Sequence, residues 1–278
     1  MTKAQSLAGM RSALKWAGGK KKVVHEIASL LPKRGKKRLV EPFVGGGSVF
    51  LNLDYEEYLL VDMNQDLINL FNIIKNQPIE FIAEAQKFFN GNNNQPETYY
   101  ELRSQFNQSD DPYERSLLFL YLNRHGYNGL CRYNKSGGYN VPFGRYKRPY
   151  FPKDELKYFS EKAQKATFLQ GDFETTFSQL KANDVVYCDP PYSPINPTSN
   201  FTAYAGNSFT DEDQKRLVNC AEIARSKGIP TLISNHYVDF TRKLYNEASK
   251  QKFFQVQRSI SQKGKERVKV KEVLALYK

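Results

Sequence analysis

The chain has only three cysteines in 278 residues (Cys131, Cys188, Cys220), too few and too scattered for a disulfide framework or a zinc site. No apolar run reaches the ~18 residues needed to cross a bilayer. The N-terminus is polar and lacks the apolar centre of a secretory signal. A reducing cytoplasm is therefore the expected location. The pattern G-x-x-x-x-G-K-[ST] is absent, which argues against a bound nucleoside triphosphate. Internal repeats and low-complexity tracts are missing too. Acidic residues are in the minority, with Asp+Glu 29 against Lys+Arg 41 and a net charge of +12. That imbalance favours a polyanionic partner, nucleic acid first.

Hydrophobic content of 40% is enough for a core, and 14% aromatic is high. The length suits one large domain, or a core domain carrying an insertion. Residues 38–43 (Arg-Leu-Val-Glu-Pro-Phe) read as a short strand, followed by Gly45-Gly46-Gly47 and by Ser48 as an expected helix N-cap. Residues 58–62 read as a second strand ending in Asp62. A strand, a glycine turn, a helix and a second strand with a terminal acid form the nucleotide-binding βαβ pattern.

From about 64 to 165 the rhythm changes. Apolar residues recur at helical spacing through 67–74, 81–89 and 113–122. Residues 126–148, rich in Gly, Asn and Tyr, read as a hairpin or loop with Arg132, Lys135, Arg145, Lys147 and Arg148 and no acid. The α/β rhythm then returns. Strands are expected at 167–170, before Gly171-Asp172, at 184–189, and at 231–234. Thr210 and Asp213 form a capping-box pattern opening a helix to about Ser226, which Gly228 stops. Residues 253–260 and 268–277 suggest an antiparallel hairpin closing the sheet edge. An α/β sheet interrupted by a mostly helical insertion is the simplest account.

The strand at 184–189 runs into Asp189-Pro190-Pro191-Tyr192. Proline fixes φ and removes an N–H donor, so the carbonyls beside the acid are left to accept from a ligand. A carboxylate, a rigid carbonyl and an aromatic ring suit a planar base with an exocyclic amine. Asp189 and the Pro190 carbonyl would accept from the amine, and Tyr192 would stack on the base. Cys188, on the opposite face of the strand, is expected in the core. In Phe43-x-Gly45-x-Gly47 the backbone can approach a ligand closely. Asp62 is placed to accept from both hydroxyls of a ribose. Trp16, the only tryptophan, lies between lysines and a glycine pair, which suggests a site on a flexible segment.

In order along the chain, the stretches 15–20 (Lys-Trp-Ala-Gly-Gly-Lys), 41–47 (Glu-Pro-Phe-Val-Gly-Gly-Gly) and 189–192 (Asp-Pro-Pro-Tyr) resemble the amino-group DNA methyltransferases of the alpha arrangement. Residues 127–134 and 140–146 resemble the bacterial DNA adenine methylase (Dam) family, whose target is GATC. The similarity covers nearly the whole chain. It implies a class I S-adenosylmethionine-dependent fold: a Rossmann-like mixed sheet with a C-terminal antiparallel hairpin, formed by 1–63 and 165–278. A target-recognition domain, mostly helical with a β-hairpin, would occupy 64–164. The implied cofactor is S-adenosyl-L-methionine, held by Trp16, Ala17, Gly18, Lys20, Phe43, Gly45, Gly47, Asp62, Asp172 and Asp189. The implied acceptor is adenine N6 in double-stranded DNA. Asp189 favours adenine, because N4-cytosine enzymes usually carry Ser there. Strand marking for mismatch repair and control of replication are the implied roles.

An adenine inside a duplex is out of reach, so it must be flipped out. The resemblance makes Tyr127 the wedge, with Asn128 beside it engaging the orphaned partner. Arg132 would read a guanine through O6 and N7. Leu130 and Pro142 would meet the thymine methyl, and Lys15 the outer guanine. Asn134, Asn140, Arg145 and Tyr146 complete the DNA-facing set. Lys147, Arg148, Lys263, Lys265, Arg267, Lys269 and Lys271 are expected to grip phosphates. Residues 193–208 are expected to form a lid. His125 stands where relatives have an aromatic residue, and a surface or packing role is expected for it. Gly46, where relatives often carry Ala, is expected to be neutral. No metal, membrane or obligate protein partner is expected. An RNA or protein-glutamine methyltransferase would usually show Asn-Pro-Pro-Tyr and lack such a hairpin. A non-catalytic DNA-binding module would need neither Asp62 nor Asp189.

Overall fold

A computed structural model describes residues 9–32, 34–195, 209–257 and 269–278. Most of the expected lid (196–208) lies outside the described residues, as do Lys263, Lys265 and Arg267. The strands are β1 (Arg38–Glu41), β2 (Glu57–Asp62), β3 (Ala166–Gln170), β4 (Asp184–Cys188), β5 (Thr231–His236), β6 (Lys250–Gln257) and β7 (Lys269–Tyr277). They form one seven-stranded sheet in the order β3-β2-β1-β4-β5-β7-β6. β1 to β5 run parallel, and β7 enters antiparallel between β5 and β6. This is the class I methyltransferase sheet expected from the sequence.

Strands β1, β2, β4 and β5 are buried on both faces, as a parallel sheet under two helical layers requires. Alternation deals neighbouring residues to opposite sides. Leu39, Leu60, Val185, Tyr187 and Leu232 join one core cluster, whereas Val40, Leu59, Val61, Val186, Cys188 and Ile233 join the other. Helices α1 (Val24–Leu30), α2 (Ser48–Asn52), α3 (Gln65–Asn76), α4 (Pro78–Lys87), α5 (Pro96–Gln108), α6 (Pro112–His125) and α7 (Lys153–Ala163) supply residues to the first cluster. Helices α8 (Phe173–Ser178), α9 (Asp211–Ser226) and α10 (Asp239–Leu244) flank the second. Among the described residues no helix is long and apolar enough to cross a membrane.

The strands, the capping box of α9 and the C-terminal hairpin form as expected. Ser48 does not cap α2. Gly47, with φ +72°, is the N-cap, and Ser48 is the first helical residue without a side-chain cap bond. The turn needs a left-handed residue at that point, which serine adopts poorly. Helices α5 and α7 are not apparent in the apolar spacing. Both are built mostly of polar residues and bury only a few side chains each.

Within the insertion, α6 is the central post. Every residue from Ser116 to His125 is buried, so this helix is surrounded rather than amphipathic. Prolines at the first turns of α4, α5 and α6 start each helix where no N–H is missed. Arg115 locks α6 to α3. Its Nε and Nη2 donate to the two oxygens of Asp66 at 2.8 and 3.0 Å, and its Nη1 donates to Phe106 O at 2.7 Å. Tyr133 of the following loop donates to the same carboxylate at 2.7 Å. Arg115→Ala should lower unfolding stability by roughly 3 kcal/mol, because it strands a buried carboxylate. Urea denaturation measures this, and a loss below about 1 kcal/mol would mark the pair as an ordinary surface contact.

Candidate active site and nucleic-acid interface

In an open α/β sheet, ligands bind beyond the strand C-termini where the strand order reverses. Here that point lies between β1 and β4, which pair side by side. The glycine turn leaves β1 and Asp189 leaves β4, so the topology itself brings the two motifs together.

The glycine turn is built around Asp62. Its Oδ2 accepts from Gly45 N at 2.9 Å and its Oδ1 from Asn64 N at 3.0 Å. Burial pushes the Asp62 carboxyl up, opposed by the N–H donors of Asn64, Gly45 and Met63. Each oxygen keeps a lone pair for a further donor, such as a ribose hydroxyl. Phe43 packs against Phe173 and Phe209, each 5.7 Å away between ring centres, and forms an apolar wall. Asp172 caps α8 by accepting from Glu174 N at 2.8 Å and is half-buried. Glu41 does not stand out as a site residue in the sequence. It is buried, and Phe50 N–H bonds to it while its Oε1 has no partner among the described residues. Burial first, then the nearby Asp189 charge, push its carboxyl well above the usual range.

Trp16 lies against the glycine turn. A Cβ on Gly45 would come within 2.7 Å of its indole Nε1, and one on Gly46 within 2.8 Å of its Cβ. Alanine at Gly46 would require the Trp16 segment to shift. That segment is not loose: Lys15 N donates to Asn123 Oδ1 and Lys15 O accepts from Asn123 Nδ2, both at 2.8 Å. After Ala17 and Gly18, the segment delivers Lys20 to the end of β4. Lys20 Nζ is buried, 2.9 Å from Asp189 Oδ1, 2.7 Å from Gly18 O and 4.7 Å from the centre of the Tyr192 ring.

Asp189 Oδ1 also accepts from Ser234 Oγ at 2.9 Å. No hydrogen bond reaches its Oδ2, or the Pro190 carbonyl, from the described residues. The Pro191 carbonyl instead accepts from Gln214 Nε2 at 2.8 Å, and Ser193 N donates to Asn235 Oδ1 at 2.9 Å. Asn235 Nδ2 joins this pair to Gln214 Oε1 at 3.0 Å. Tyr192 between them is steadied by Glu272 at 3.3 Å and by the edge-on ring of His236 at 4.8 Å. Sequence reasoning misses Ser234, Asn235 and Gln214. The available signal is a polar run, Ser-Asn-His, at the C-terminal end of an apolar strand.

The other expected residues gather on 126–146. Two isolated bridges, Gly126 with Phe143 and Tyr133 with Tyr139, make it a loose hairpin rather than a regular ladder. At its start, Tyr127 is 48% exposed and Asn128 takes φ +54° beside it. Asn128 N donates to Tyr146 OH at 2.9 Å, and Lys15 Nζ lies 3.5 Å from the centre of the Tyr146 ring. Burial, then the charge of Arg124, lower Lys15 to about 8. Arg132 is exposed but already engaged, with Nε on Asn140 Oδ1 at 2.7 Å and Nη2 on Asn140 O at 3.0 Å. Asn134 Oδ1 is spent inside the loop, accepting from Gly138 N at 2.8 Å and Ser136 N at 3.1 Å. Leu130 is half-buried, and Pro142 and Arg145 are exposed. Helix α5 anchors the loop from behind. Tyr99 OH and Arg103 Nη1 each donate to Val141 O at 3.0 Å, and Asn107 bonds both N–H and C=O of Tyr139 at 2.8 and 3.1 Å.

A family model described as D12 class N6 adenine-specific DNA methyltransferase matches residues 16–261. The chain belongs to that family. The DNA adenine methylase of Vibrio cholerae serotype O1 is 54% identical over 268 residues, 96% of this chain and 96% of that protein. The DNA adenine methylase of Escherichia coli K12 is 52% identical over 268 residues, 96% of this chain and 95% of that protein. Among solved structures, human methyltransferase 10 domain containing protein aligns at 8% identity and TM-score 0.42, over 91% of this chain and 80% of that one. This protein is thus an adenine-specific DNA methyltransferase, and its family implies S-adenosylmethionine as methyl donor.

His125 is a packing residue in this methyltransferase and has no surface role. Its ring is buried against Tyr121 at 4.1 Å and Phe89 at 5.0 Å. Nδ1 donates to Tyr121 O at 3.0 Å, and Nε2 is buried without a partner among the described residues. Burial first, then the charges of Lys15 and Arg124, hold the imidazole down to about 4 from 6.5, against the Tyr121 carbonyl. Between those values the unfolded chain binds a proton that the folded one refuses. Stability should therefore fall as pH drops from 6.5 towards 4, with no contribution from this group above 6.5. His125→Phe should flatten that part of a melting-temperature profile against pH. Equal slopes in the two proteins would remove the assignment.

Proposed function

We propose that this methyltransferase modifies adenine N6 in double-stranded GATC, using a flipped-out base and direct in-line transfer. The observation that carries the reading is the state of Asp189. One oxygen is held by Lys20 and Ser234, while among the described residues nothing bonds to the other or to the Pro190 carbonyl. Two acceptors fixed at the end of one strand match the two N–H bonds of an exocyclic amine. Accepting from both would draw the N6 lone pair out of conjugation and aim it away from the ring. Tyr192, held by Glu272 and His236, would stack on the base. Asp189 Oδ2 would take the proton that N6 sheds once it is alkylated.

The chain's residues fit the implied cofactor. Asp62 retains acceptor capacity for a diol, Phe43 offers an apolar wall, and Gly45 leaves room for the Trp16 indole beside them. Trp16, Ala17, Gly18 and Lys20 would close over it, and Asp172 would meet its adenine edge. When bound, S-adenosylmethionine supplies an electrophilic methyl group. Proximity and orientation are then the main catalytic resources, since no covalent enzyme intermediate is needed.

The catalytic domain would comprise 1–63 and 165–278, and the target-recognition domain 64–164. Tyr127, exposed at the start of the hairpin, is the wedge that would fill the gap left by the flipped base, with Asn128 beside it. Arg132, Lys15, Leu130 and Pro142 would read bases at about 1–3 kcal/mol of discrimination for each good contact. Asn134, Asn140, Arg145 and Tyr146 would support them, the first two by shaping the loop. No obligate protein partner is needed for this chemistry.

Labelled methyl groups should appear on a GATC duplex and not on a scrambled one, and equal labelling of both would refute the site. Asp189→Ala should abolish transfer while leaving most duplex affinity, as read by filter binding. Normal turnover in that variant would exclude its role.

A further inference from the structure

Lys15 is gripped from two sides. Asn123, fully buried on α6, accepts from Lys15 N and donates to Lys15 O, both at 2.8 Å, as a neighbouring strand would. Its amide also lies 3.5 Å from Gly129 O. The adjacent Arg124 lends its carbonyl to Lys15 Nζ at 3.2 Å and reaches Ala13 O at 3.4 Å. From the other side, the turn at 127–129 closes on the same lysine. A Cβ on Gly129, which has φ +62°, would lie 2.1 Å from the Lys15 Cβ. Tyr146, bonded to Asn128 N, covers the Lys15 ammonium. Further along this segment Trp16 rests on the glycine turn, and Lys20 ends on Asp189. One short stretch of backbone thus touches the exposed turn at one end and the acid at the other.

We propose that Asn123 is a positioning residue that couples occupation of the 127–129 turn to the cofactor and acid end of the Lys15–Lys20 segment. The inference rests on the reading of that turn as DNA-facing. Asn123 is fully buried and acts through Lys15. Its two bonds fix the Lys15 peptide, so movement of the turn on a duplex is transmitted along the segment. A primary amide suits this because it carries donor and acceptor together. Aspartate offers acceptors only, and so turns a carboxylate towards Lys15 O.

The test uses the full chain and S-adenosylhomocysteine as probe, titrated calorimetrically with and without saturating GATC duplex. Linkage makes the coupling factor the same in either order of addition. In the wild type the duplex should tighten the probe by at least about fivefold. In Asn123→Asp the factor should approach one, while probe affinity without DNA stays within about twofold. A displacement of the Lys15–Lys20 segment should lower kcat by about ten- to a hundredfold, with a smaller change in KM for DNA. Gly129→Ala presses on the same contact from the turn and should reproduce the effect, and kcat per active site with the coupling factor, both read on the folded fraction, keep either variant informative. The double variant should be no worse than the more affected single one, because both act through one contact.

A merely structural Asn123 would lower the melting temperature and the active fraction, yet leave kcat per active site and the coupling factor unchanged. That result would overturn the proposal, as would a wild type without coupling or additive effects in the double variant. If the wild type methylates GATC and scrambled duplexes equally, the sequence-specific reading fails. The coupling factor measured on the methylated duplex still decides the role of Asn123.

Discussion

The site depends on the contact between Lys20 and Asp189. A carboxylate at the end of a buried strand must be compensated without being blocked, and an ammonium on one oxygen does this. That requirement reaches far along the chain. The N-terminal segment must cross the glycine turn to deliver Lys20, so the turn must be bare where Trp16 passes. β5 must lie beside β4 for Ser234 to meet the same oxygen, and the parallel register provides it. The amide chain of Asn235 and Gln214 then holds the backbone on both sides of Tyr192.

Strand positions are legible because buried parallel strands are short apolar runs ending in acids, as at Asp62 and Asp189. The box at Thr210 and Asp213 is equally readable, since it uses local chemistry alone. Ser48 misleads because the left-handed turn is decided by Gly47, one residue earlier. Helices α5 and α7 are hidden by polar composition, their stability coming from packing against neighbours that a sequence does not place. Asp189 is apparent as an acid, yet its pairing with Lys20 is not. The two are distant in the chain, and only the strand order brings them together. Asn123 is invisible for a related reason: nothing in an apolar helix marks one amide as the partner of a distant peptide.

The C-terminal end of α6 is where the helices of 64–164 meet the N-terminal segment. Asn123 and Arg124 bind the N-terminal segment, and His125 fills the space against Phe89 and Tyr121. Such a junction is dense and polar at once, which accounts for the depressed ionisation of Lys15, Arg124 and His125 within it. The charges of Lys15 and Arg124 are tolerated this close together because backbone carbonyls face each of them, while His125 is kept neutral.

The bonds from α5 to the loop at 126–146 all end on main-chain atoms. Every amino acid but proline brings those atoms, so the anchorage is indifferent to which side chains point outward between the anchors. Exposed positions such as Tyr127 and Pro142 can therefore be exchanged one at a time without dismantling the loop's seat. A scaffold of this kind separates the course of the loop from the chemistry it displays.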